Sequence, residues 1–354
     1  MFLSLILACW VDFSTLPQLN VEEVDFSNEN LEVANVRVRM FDSNLICPDG
    51  EPASFFAVYP VSSSSLPVAI IFHTGALDYD NVVTEDTPFL ASNRLTRTWA
   101  SSRIWETLNL TRQSLDTGVT DLGTLPTALA NAGIAQIYPS NCWGDYWHNG
   151  IARNPNNAAL EGFSRQGFDM AQLMVDLLEN ESLAGDLGFD FEQQFDTSSI
   201  YWIGMGSGGR AITELLLAGN QVPSGIIFDS TPDDLRPYLE ENEAYIFEQT
   251  AFERIFGDAA LEDYSISAPT LTSLPSRTAW IYSNGDPMHP QDTFISGANI
   301  IEGLDGSWIQ DINQTGHVFI NQDIDLARNV RQYLLTGSIA SSEQPNTETS
   351  DDGQ

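Results

Sequence analysis

The stretch from Ser199 to Leu217 constrains the fold more than any other part of the chain. Ser199-Ile200-Tyr201-Trp202-Ile203 is rich in β-branched and aromatic residues and reads as a strand. It runs without a spacer into Gly204-Met205-Gly206-Ser207-Gly208-Gly209, and Gly208–Leu217 then reads as a helix. A strand, a tight turn and a helix in direct succession are the unit of a mostly parallel sheet with right-handed crossovers. Four glycines in six positions let the strand and the helix approach closely.

The rest of the chain repeats the alternation. Val33–Met40 alternates apolar and polar residues, Ser54–Val61 follows, and the turn signal Cys47-Pro48-Asp49-Gly50 lies between them, so the pair reads as an antiparallel opening hairpin. Val68–Phe72 is a continuous apolar run, as in a strand covered on both faces. Further strands are expected at Ile134–Tyr138, Gly225–Phe228, Thr278–Tyr282 and Trp308–Ile312. Helices are expected at Leu95–Leu108, Leu125–Asn131, Phe163–Leu178 and Asp323–Leu335. The implied fold class is α/β: a twisted, mostly parallel sheet of about eight strands with helices on both faces. Residues 31–337 form that domain, with 80–120 a candidate insertion or lid. Residues 10–30 read as an acidic tether and 338–354 as a disordered acidic tail.

Composition sets the limits on partners. With 42% hydrophobic residues among 354, the chain can bury a substantial core. It carries 49 acidic residues against 14 basic ones, all arginine, for a net charge of −35. Such a surface repels nucleic acid and anionic lipid. Because the acids are scattered, adaptation to a salty medium is favoured over a patch that attracts cationic substrates.

The turn at 204–209 resembles the nucleophile elbow of the α/β-hydrolase superfamily, Gly-x-Ser-x-Gly, and the resemblance covers about residues 33–336. It implies a serine esterase or peptidase type of site. Matched on Gly204 and Gly208, the apex that carries the nucleophile in the family is Gly206 here. In a second register Ser207 is the apex, and Met205 then fills a position that wants a small residue. A phosphate-binding reading of Gly204, Gly206 and Gly209 is weaker, since such a loop usually follows the first strand of its domain. The resemblance assigns the acid to Asp286, in the loop Ser283–Pro290, and the general base to His317, in Gln314–Phe319. His73-Thr74-Gly75-Ala76 resembles the oxyanion segment, with the backbone near Gly75 and Ala76 pairing with Ser207.

Other residues offer weaker chemistry. His73, Trp143, Tyr146 and Trp147 follow strands and are candidate pocket residues, although core packing explains the aromatics equally well. Cys142 as a substitute nucleophile is disfavoured because it lies off the elbow. Asp145 and His148 are too few ligands for a metal site, so neither a metal nor a cofactor is expected. Asp229-Ser230-Thr231-Pro232 closes a strand and frames the same edge of the sheet.

Residues 1–9 read as a lipoprotein signal segment, because Ile6-Leu7-Ala8-Cys9 resembles a bacterial lipobox. The expected location is the bacterial envelope, with membrane attachment only through lipid on Cys9. Mass spectrometry should find that lipid; an unmodified mature terminus at Met1 would refute the route. Cys47 and Cys142 remain as an even pair, open to one disulfide in an oxidising compartment or to two buried thiols. The functional expectation is an α/β-hydrolase-fold protein degenerate at its elbow, binding a small molecule, peptide or partner; the alternative is an active serine hydrolase using Ser207, His317 and Asp286.

Overall fold

The computed structural model describes residues 21–24, 36–46, 52–72, 122–139, 174–176, 178, 194–206, 208–217, 222–233, 274–287 and 291–339. Nine strands form one sheet: β1 Val21–Val24, β2 Val36–Ile46, β3 Pro52–Pro60, β4 Leu66–Phe72, β5 Ala135–Pro139, β6 Phe195–Met205, β7 Gly225–Asp229, β8 Thr278–Tyr282 and β9 Trp308–Asp311. Their order is β1-β2-β3-β5-β4-β6-β7-β8-β9. The pairs β1·β2, β2·β3 and β3·β5 are antiparallel, and every pair from β5·β4 to β8·β9 is parallel. The four described helices with defined ends are α1 Thr124–Asn131, α2 Gly208–Leu217, α3 Asp292–Glu302 and α4 Ile324–Thr336. This is the α/β-hydrolase architecture expected from the elbow.

Both faces of the sheet are buried, and the strands show why their sequences are continuously apolar. Along β6, Ile200 and Trp202 face one way, packing with Ile212 and Leu215 of α2, Ala298 and Ile301 of α3, and Met174 and Leu178. Tyr201, Ile203 and Met205 face the other way, packing with Leu125 and Leu129 of α1 and Val330 and Leu334 of α4. The period of two thus sends alternate residues into two separate cores. Helix α4 is stopped as its sequence asks. The Asp323 carboxylate accepts the N–H groups of Asp325 and Leu326 at 2.8 and 3.1 Å, and Gly337 ends the helix at φ +75°.

Three expectations change. The acidic segment 10–30 is not all tether: Val21–Val24 pairs antiparallel with β2, Val21 opposite Phe41 and Val24 opposite Val38. Tertiary pairing overrides a local composition that is half acidic. Strand β6 begins at Phe195 rather than Ser199, because its polar start extends the ladder to Leu66. Helix α3 was not foreseen. Its Thr-Phe-Ile-Ser-Gly-Ala core is rich in poor helix formers, and burial of Phe294, Ala298 and Ile301 outweighs that weak propensity. Of the expected helix Phe163–Leu178, residues 174–176 and 178 are described, and they are helical. The segments 1–9, 80–120 and 341–354, including Leu95–Leu108, lie outside the described residues.

Candidate functional site

The parallel strands end together. Met205 of β6 is in register with Asp229 of β7, Asp229 with Ile281 of β8, and Tyr282 with Asp311 of β9. The loops that leave β6, β7, β8 and β9 therefore emerge from one edge, where an open α/β sheet places its ligands.

The first of these loops is the elbow. Gly206 directly follows β6 and has φ +53°, a left-handed conformation that glycine adopts without steric cost. Its N–H donates to the Asp229 carbonyl at 2.7 Å, and its own carbonyl accepts from Gly209 N–H at 3.1 Å. Two residues further on, α2 begins at Gly208. Gly204 faces α2. A Cβ there would lie 2.8 Å from Gly209 N and 2.9 Å from Ile212 Cδ1. A Cβ on Gly209 would in turn lie 2.7 Å from Thr231 Cβ. The tight partner of Gly204 across the elbow is therefore Gly209, which the Gly-x-x-x-Gly spacing does not point to. Met205 is buried on the opposite face, with Ile203 and Phe319.

The acid and histidine loops are joined to each other. Asp286 Oδ2 lies 2.7 Å from His317 Nδ1; the Asp286 side chain is fully buried and that of His317 is 10% exposed. With Asp286 as a carboxylate, Nδ1–H is the donor, and Nε2 becomes the ring's lone-pair nitrogen. Ser283 stitches the two loops beneath this pair. Its hydroxyl donates to the Gln314 carbonyl and accepts from Gly285 N–H and Gln314 N–H at 3.1 Å each. Gly285 and Thr315 add a parallel bridge. An imidazole fixed in one tautomer by a buried carboxylate is the arrangement of a general base.

Beyond His317 the backbone is strained. Val318 has φ +61°, unusual for a β-branched residue and costing about 1–3 kcal/mol. Three successive N–H groups are bound in compensation. Val318 N–H donates to Ser230 Oγ at 3.0 Å, and the N–H groups of Phe319 and Ile320 both donate to Asp229 Oδ2 at 2.8 Å. Ser230 Oγ also donates to Asp229 Oδ1 at 3.2 Å. Burial pushes the Asp229 carboxyl up to about 6, against the pull of the Ile320 N–H, the charge of His317, the Ser230 hydroxyl and the Phe319 N–H. A carboxyl raised in this way favours folding in its protonated form. That contribution is complete at low pH and is lost as the pH rises through about 6.

Sequence reasoning placed Asp229–Pro232 at this edge but missed the anchoring role of Asp229 and Ser230. It also missed Ser283 and Gly209. The one local signal was an acid closing the apolar strand Gly225–Asp229. Ser207, His73, Gly75, Ala76, Trp143, Tyr146, Trp147, Cys9, Cys47 and Cys142 lie outside the described residues, and with them the oxyanion, pocket, disulfide and lipidation assignments. Among the described residues no group of three or more His, Cys, Asp or Glu side chains could hold a metal ion. No described helix is long and apolar enough to cross a membrane.

No family model matches the sequence, and neither does any curated protein. Solved structures do match in fold. A Lactobacillus plantarum WCFS1 protein assigned as a carboxylesterase aligns with TM-score 0.51 at 13% identity, over 86% of this chain and 100% of its own. Esterase Est22 aligns with TM-score 0.51 at 14% identity, over 86% of this chain and 82% of its own. The chain has the α/β-hydrolase fold. At such identities the likeness extends to the fold and no further.

Proposed function

We propose that this protein is an α/β-hydrolase-fold homologue that does not use covalent serine catalysis. It keeps the acid–histidine pair Asp286–His317, presents no nucleophile at the elbow apex, and binds a small molecule, peptide or partner at the strand ends. The observation that carries this reading is the left-handed backbone of Gly206 at the turn between β6 and α2. A sharp turn with an unusual backbone conformation between strand and helix is what the elbow provides for a nucleophile. The packing of Gly204 onto Gly209, with Met205 turned to the opposite core, supports the register in which Gly206 occupies that apex.

A second reading has its own support. The 2.7 Å contact between a buried Asp286 and His317 is what an active serine hydrolase requires, with Ser207 as the nucleophile on an ester or peptide bond. In that mechanism His317 Nε2 takes the hydroxyl proton as Oγ attacks the carbonyl, then returns it to the leaving group. Neither reading calls for a metal or a cofactor. The net charge of −35 argues against a nucleic-acid partner in both.

Labelling with a fluorophosphonate probe separates them. The wild-type chain and Ser207→Ala are both expected to stay unlabelled and to show no esterase turnover above background. Wild-type labelling that disappears in Ser207→Ala would overturn the proposal and establish the serine hydrolase.

A further inference from the structure

Asp229 and Ser230 touch the elbow, the end of β8 and the turn after His317. The Asp229 carbonyl accepts from Gly206 N–H at the elbow. Ser230 N–H donates to the Ile281 carbonyl, just ahead of the acid loop, at 2.8 Å. Their side chains bind the three N–H groups that follow His317. Both residues are fully buried, and Ser230 itself sits at φ +52°. We infer that Asp229 and Ser230 are positioning residues for His317: they hold the loop after the histidine in a conformation that Val318 does not adopt unaided, and so set the imidazole against Asp286.

The physical basis is direct. A buried N–H without a partner is costly, and a single carboxylate oxygen that accepts two of them forms strong, charge-assisted bonds. Take that acceptor away, and Phe319 and Ile320 lose their partners while Val318 can relax toward negative φ. His317 is the residue immediately before this turn, so relaxation swings its ring away from Oδ2 of Asp286. The inference concerns the Asp286–His317 pair as a structural unit and holds whether or not Ser207 is a nucleophile.

The test reads the histidine ring itself. Two-bond 1H–15N correlation spectra at pH 8 distinguish an imidazole locked as Nδ1–H from one exchanging between tautomers, and His317→Gln assigns the signal. Wild type is expected to show the locked Nδ1–H pattern. Asp229→Ala should move it to the mixed pattern of a free imidazole, with the far-UV circular dichroism unchanged. Asp229→Asn, whose amide oxygen can still accept both N–H groups, should restore the locked pattern. If Asp229→Ala does not fold, Ser230→Gly decides, since glycine keeps the positive φ while removing the acceptor for Val318 and the hydroxyl that donates to Asp229 Oδ1; a mixed pattern is again expected. A locked pattern that survives in the folded variant would overturn the inference, as would a mixed pattern already present in the wild type. Neither result depends on labelling or turnover, so the inference and the proposed function can fail separately.

Discussion

On the proposed reading, Gly206→Ser is expected to confer labelling by fluorophosphonate, the largest functional change that reading assigns to a single substitution. The backbone at Gly206 already has φ +53°, so the serine would enter the left-handed region at a cost of about 1–3 kcal/mol. Its hydroxyl would stand at the turn between β6 and α2, on the edge where the Asp286–His317 pair is assembled with its 2.7 Å contact. A hydroxyl next to a positioned imidazole gains about 10²–10⁴-fold from general-base catalysis alone. Gly206→Ala is the control. It carries the same backbone cost without the hydroxyl and should remain unlabelled. The measurement is label incorporation by intact mass for wild type, Gly206→Ser and Gly206→Ala, each shown to be folded by its melting curve. A folded Gly206→Ser that takes up no label would mean that the apex does not face His317, and the register on which the proposed function rests would be lost.

The strand ends that carry these loops were readable because glycine, aspartate and histidine in turns punctuate a sequence strongly. The elbow, the acid loop and the histidine loop each follow a strand, and the structure brings Asp286 and His317 into contact across 31 positions. The parts that were not readable depend on contacts without a local pattern. Asp229 binds N–H groups 90 and 91 residues further on, and no periodicity or turn signal announces that pairing. Gly209 rather than Gly208 meets Gly204, because the start of α2 at Gly208 sets which residue of its first turn faces β6. Val21–Val24 joins the sheet through β2, although its own composition suits solvent. In each case the neighbour supplied by the fold decides.

The largest stability loss is expected from Gly204→Ala, at about 3 kcal/mol or more. A Cβ at this position has no room: Gly209 N would be 2.8 Å away, Gly209 Cα would be closer still, and Ile212 Cδ1 would be 2.9 Å away. Ile212 could change rotamer, but the contacts with Gly209 are main chain and can be relieved only if β6 and α2 move apart. Such a shift lifts Ile212 and Leu215 from a core in which both are fully buried. Overpacking of a well-filled core costs about 1–3 kcal/mol, and here the loss of burial adds to it. For a domain of this size each kcal/mol lowers the melting temperature by roughly 2–4 °C, so a fall of about 6–12 °C should be seen by thermal denaturation. Gly209→Ala probes the next contact in the row, and its clash is with the side chain of Thr231. Trimming that side chain with Thr231→Gly should recover part of the Gly209→Ala loss, a coupling that a double-mutant cycle would show, and should recover little of the Gly204→Ala loss. A Gly204→Ala variant as stable as the wild type would mean that β6 and α2 are not in contact at this point. The proposed register with Gly206 at the apex would then rest on the positive φ of Gly206 alone.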